Sequence, residues 1–90
     1  MTLHCVYARS AILAGDLARN LAADDAVLLL GAAVTLARES PGLPEGIAVH
    51  ALAEDLAAHG IGAPAPGVSA VDYDGWVALT ETHATQQVWA

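Results

Sequence analysis

Ala26-Val27-Leu28-Leu29-Leu30 is an unbroken apolar run, preceded by Asp24-Asp25 and closed by Gly31. Its length suits a strand, and the lack of polar alternation means that both faces of that strand are covered, as in a parallel sheet with helices on either side. Towards the N-terminus, residues 3–7 form a first strand. Ser10 then caps a helix whose apolar positions Ile12, Leu13, Leu17 and Leu21 recur near every 3.6 residues until Asp24-Asp25 ends it. In the other direction, residues 32–38 read as a short helix and Ser40-Pro41-Gly42-Leu43-Pro44-Glu45-Gly46 as a loop. Residues 47–51 give a third strand, and residues 52–59 a helix closed by Gly60, the residue that best tolerates a left-handed C-terminal position. A rigid loop with Pro64 and Pro66 leads to a fourth strand at 68–72, a helix at 74–82 and a short fifth strand at 86–89. The alternation predicts an α/β fold: a small doubly wound sheet of four to five mostly parallel strands with helices on both faces. One domain is expected to span residues 1–90.

Composition narrows the function. The formal net charge is −7, and all three basic residues, Arg9, Arg19 and Arg38, are arginines. Without lysine there is no phosphate-loop lysine and no Schiff-base lysine. Direct nucleic-acid binding is disfavoured because phosphate contacts draw on clusters of Lys and Arg. Apolar residues make up 56% of the chain and charged residues 14%, with 21 alanines and no phenylalanine. A sphere this small with so little charge carries apolar surface, and large patches of that kind mark protein interfaces. The composition therefore reads as a subunit. No apolar run approaches a membrane span, and the first residues lack the plan of a signal peptide, so a cytoplasmic address is expected. A single cysteine excludes an internal disulfide.

Candidate chemistry is sparse. Sites in doubly wound sheets lie at the carboxyl ends of strands, which here offers Tyr7, Arg9 and Ser10, then Gly31, then residues 52–55, then Asp72 and Tyr73. Gly31 stands alone rather than in a glycine-rich phosphate fingerprint. Cys5 is the only available covalent nucleophile, but a mid-strand cysteine is most simply a small buried hydrophobe, and strand alternation turns His4 to the opposite face. His4, His50, His59 and His83 are scattered and lack the spacing of a metal pair, so neither metal nor cofactor is expected. His59 suits a helix C-terminus, and Glu54-Asp55 suit the positive start of their helix.

Both tryptophans lie in the last quarter of the chain. Asp72-Tyr73-Asp74-Gly75 turns from strand to helix, and Trp76, Thr80 and His83 then share one helical face. Such a face either closes the core or meets another chain, and tryptophan is enriched at binding hot spots. Tyr73, Trp76, His83, Gln86 and Trp89 are accordingly the candidate interface residues.

Asp72-Tyr73, Trp76-Val77, Leu79-Thr80, His83, Gln86 and Trp89 together resemble the C-terminal signature of the TusB/DsrH family, small proteins of the DsrE-like superfamily. Leu3-His4 with Arg9-Ser10, residues 25–31, and Ala51-Leu52 with Glu54-Asp55-Leu56 and Gly60 match in order. The resemblance implies a subunit of a heterohexamer containing two copies each of three related chains, the others TusC/DsrF-like and TusD/DsrE-like, that relays persulfide sulfur. It further implies that the principal sulfur-carrying cysteine sits on the TusD/DsrE-like chain, that sulfur carrier proteins engage the complex, and that tRNA is met only through it.

The TusB branch serves 2-thiolation of the wobble uridine of certain tRNAs, and the DsrH branch serves dissimilatory sulfur oxidation. DsrH-type members carry a cysteine on the first helix, whereas residues 14–21 here have none, which favours the TusB-like branch and a non-catalytic subunit of a sulfurtransferase complex. Two rivals are a sulfur carrier using Cys5 and a stand-alone ligand-binding domain. Expressed alone, such a chain is also expected to be able to self-associate.

Overall fold

The computed structural model describes residues 1–39 and 42–90; Ser40 and Pro41 of the expected loop lie outside them. Its centre is one five-stranded sheet, built from β1 (Thr2–Val6), β2 (Ala26–Leu29), β3 (Ala48–Leu52), β4 (Val68–Val71) and β5 (Thr85–Trp89). All neighbouring strands are parallel, in the order β4-β3-β2-β1-β5. The first three connections step in one direction across the sheet, and the fourth returns to the far side of β1. Right-handed crossovers therefore place the segments after β1, β2 and β3 on one face and the segment after β4 on the other. The expected doubly wound α/β architecture is thus the one observed, with its helices unequally shared.

The crowded face carries α1 (Ser10–Leu13), α2 (Asp16–Arg19), a 3₁₀ helix (Gly31–Arg38) and α3 (Ala53–Ala58). Val6, Val27, Leu29, Val49 and Ala51 from the strands meet Leu17, Ala33, Val34 and Leu56 there. Among the described residues the sparse face carries α4 (Tyr73–Thr82) alone, whose Trp76 and Leu79 lie against Leu3, Cys5, Leu28, Leu30 and Leu52. The alanine-rich composition explains how two thin layers can close: small side chains let short helices sit near the sheet, while each fully buried leucine contributes about 2 kcal/mol.

Two local readings need correction. The single helix expected from Ser10 onward is two short helices, because Gly15 adopts φ +81° between them. Leu13 consequently turns outward while Leu17 stays buried, and Arg9 rather than Ser10 occupies the N-cap, without a side-chain capping bond. The short helix after β2 winds as a 3₁₀ helix rather than an α-helix. Elsewhere the boundaries shift by a residue or two. Gly60 does take a left-handed φ of +71° just after the residue that ends α3. Asp72 caps α4, its Oδ1 accepting from Gly75 N at 2.8 Å.

Candidate functional site

Strand register decides which candidates meet. On β1, Leu3 and Cys5 face the α4 side, and His4 and Val6 face the crowded side. In the β1–β5 pair, Cys5 is opposite Val88 and Val6 is opposite Trp89. Trp89 therefore belongs to the crowded face and Trp76 to the other, so the tail residues do not form one aromatic surface. The period of two in β5 and of 3.6 in α4 aims the two indoles at opposite sides of the sheet.

Cys5 is 5% exposed beneath α4. Burial pushes its thiol pKa up, and a contact with the Trp76 indole only partly opposes this. A thiolate nucleophile needs the reverse, an open and electropositive setting. His4, on the other face, offers Cys5 no base.

On the α4 side Trp76, Leu79, Thr80 and His83 are half-buried, and Tyr73 and Val77 are exposed. Tyr73 stacks on Trp76, with ring centroids 6.2 Å apart and planes inclined by 21°. The negative charge of Glu54 raises the Tyr73 pKa, followed by burial and then the charge of Asp55. His50 sits half-buried on the same face, its Nδ1 without a partner among the described residues. Burial, and then the nearby His83, lower the His50 pKa. Gln86 and Val88 of β5 remain exposed beside this layer.

Two arrangements were not foreseen from the sequence. Asp55 does more than sit at a helix start: its Oδ2 accepts from Gly31 N at 2.7 Å, tying the end of β2 to α3. His59, as expected, sits at the C-terminus of the same helix, donating from Nδ1 to the Asp55 carbonyl at 3.0 Å. The other is a polar network joining buried His4 and Asp25 to half-buried Trp89. His4 Nε2 donates to Asp25 Oδ2 at 2.9 Å, and Trp89 Nε1 donates to His4 Nδ1 at 3.1 Å. Asp25 also accepts from Thr2 N at 2.9 Å and Ala22 N at 3.0 Å. These bonds, the one from Ala22 first, hold the Asp25 pKa down to about 2 against the opposing effect of burial. The sequence shows a histidine inside β1 and an aspartate just before β2, which does not reveal that the three side chains converge. Among the described residues no group of three His, Cys, Asp or Glu side chains is placed to hold a metal ion. No helix among them is long and apolar enough to cross a membrane.

A family model described as DsrH like protein matches residues 12–86. The chain belongs to the DsrH-like family. No curated protein matches it significantly. Membership points to a sulfur-relay subunit, and the matched segment runs from α1 through all of α4 into β5. In this DsrH-like chain the matched region thus contains the sparse face with Trp76 and His83, while Cys5 precedes it.

Proposed function

We propose that this chain is a non-catalytic, structural subunit of a persulfide sulfur-relay complex serving 2-thiolation of the tRNA wobble uridine. Its partners in that reading are a TusC/DsrF-like and a TusD/DsrE-like chain in a heterohexamer, with tRNA engaged only through the complex. The observation that carries the proposal is the state of Cys5. The chain's one thiol is buried beneath α4 with its pKa raised, which supports a carrier cysteine on another subunit. The same face offers Tyr73, Val77 and Val88 as exposed apolar surface around half-buried Trp76, which suits a hydrophobic contact with a sister chain.

Co-expression with the two sister chains tests this. One species of about six chains is expected by size-exclusion chromatography with mass measurement, and a chain that stays apart would sink the proposal. Incubation of that complex with a cysteine desulfurase should add sulfur to a partner cysteine and none to Cys5.

A role in sulfur oxidation is the second reading, supported by the DsrH description of the matching model. Against it stands the absence of cysteine from residues 14–21. Loss of 2-thiouridine on deletion of the gene would favour the first reading, and loss of sulfur oxidation the second.

A further inference from the structure

The chain's three positive side chains are distributed unevenly. Arg19 pairs with Asp16 on its own helix, away from the other two. The other two come from separate elements, Arg9 from the start of α1 and Arg38 from the end of the 3₁₀ helix, yet both line one cleft of about 400 Å³ on the crowded side of the sheet. Between them the cleft is lined by Ile12, Leu13 and Leu36 together with Thr35 and Gly42, and Glu39 is the one acid among the described lining residues. Leu13 is 66% exposed. Arg38 is held in place by donating from Nη2 to the His59 carbonyl at 3.0 Å, which uses one of the five N–H donors of its guanidinium.

We infer that this cleft is a second docking surface, on the opposite side of the sheet from Trp76, and that it takes an acidic segment of a sister subunit carrying an apolar side chain. The inference rests on the reading of the chain as a subunit. Charge selects the occupant. In a molecule of net charge −7, two arginines against one glutamate leave this lining with a net positive charge, and arginine pairs with carboxylates in bidentate geometry. The apolar floor and the exposed Leu13 call for a side chain to cover them, which a free inorganic anion does not supply. A nucleic acid is a poor fit, because its backbone needs many cations and would face the negative field of the rest of the chain. Arginines flanking an apolar contact are characteristic anchors of protein interfaces.

The test measures binding of the purified chain to the purified pair of sister subunits. In the wild type binding is expected, and the R9Q/R38Q variant should weaken it about tenfold or more, the scale of losing desolvated charge pairs. R19Q should bind as the wild type does. Leu13→Ser serves as the second variant, since its exposed side chain is not needed for the core, and it should weaken binding too. A photoactivatable side chain at position 13 should capture a partner peptide containing Asp or Glu. Wild-type affinity in both R9Q/R38Q and Leu13→Ser, or capture of a peptide without Asp or Glu, would overturn the inference and leave the proposed function standing. No binding by the wild-type chain would overturn the proposed function itself, and this inference with it.

Discussion

The indole Nε1 of Trp89 donates to Nδ1 of His4 at 3.1 Å, joining the face-matched side chains of two adjacent strands that are remote in sequence. An indole N–H can only donate, so the His4 ring accepts at Nδ1 and carries its proton at Nε2, where Asp25 receives it. Nitrogen NMR of His4 should report the Nε2–H tautomer. Trp89→Phe leaves Nδ1 unpaired in a buried site and should cost about 1–3 kcal/mol, the scale of an orphaned buried polar group. If the interaction is as described, the cost of Trp89→Phe should shrink in a His4→Leu background, a coupling that a double-mutant cycle on denaturation midpoints detects.

Acid should destabilise the fold in two separable stages. Burial makes His50 harder to protonate in the folded chain than at its ordinary value of 6.5, so the unfolded state takes up the proton first and stability falls as pH drops below that value. Asp25 acts lower down. With its pKa at about 2 rather than 3.8, it contributes stability that is fully present above 3.8 and lost as pH falls towards 2. His50→Val should flatten the upper stage of a Tm-against-pH curve and keep the lower one. An unchanged upper stage in His50→Val would contradict the assignment.

Cys5 should resist thiol reagents in the native state. A disulfide reagent such as 5,5′-dithiobis(2-nitrobenzoate) should react with the chain only once denaturant opens the contact between β1 and α4, at a rate set by opening rather than by reagent concentration. Prompt stoichiometric labelling of the folded chain would revive a carrier role for this residue.

Two carboxylates hold the ends of strands. Asp72→Ala removes the α4 cap and should cost about 1 kcal/mol. Asp55→Ala orphans the Gly31 N–H and should cost about 1–3 kcal/mol. Both losses are expected as lowered midpoints in chemical denaturation, with Asp72→Ala additionally raising hydrogen exchange in the first turn of α4.

Much of the architecture was legible from local pattern. The five-residue run from Ala26, the turn at Asp72 and the glycine at 60 each announce their element through chemistry confined to a few neighbours. The break at Gly15 was harder to see, because the apolar spacing of Ile12, Leu13, Leu17 and Leu21 suits one continuous helix, and only the backbone reveals that the glycine adopts a left-handed conformation. Strand order, and with it the separation of Trp76 from Trp89, depends on pairings between segments up to 85 residues apart, as in the bond between His4 and Trp89. The union of Arg9 with Arg38 in one cleft has the same origin. Residues that act locally were readable, and those that act through the sheet were not.

Placement of β5 against β1 has a consequence for the chain's handling in the cell. Until residues 85–89 dock, β1 is an unprotected border strand, presenting open backbone donors and acceptors along the apolar Leu3, Cys5 and Val6. The β5 strand thus acts as a sheath over a sticky template, and loss of residues 85–89 should expose that template to pairing with other chains.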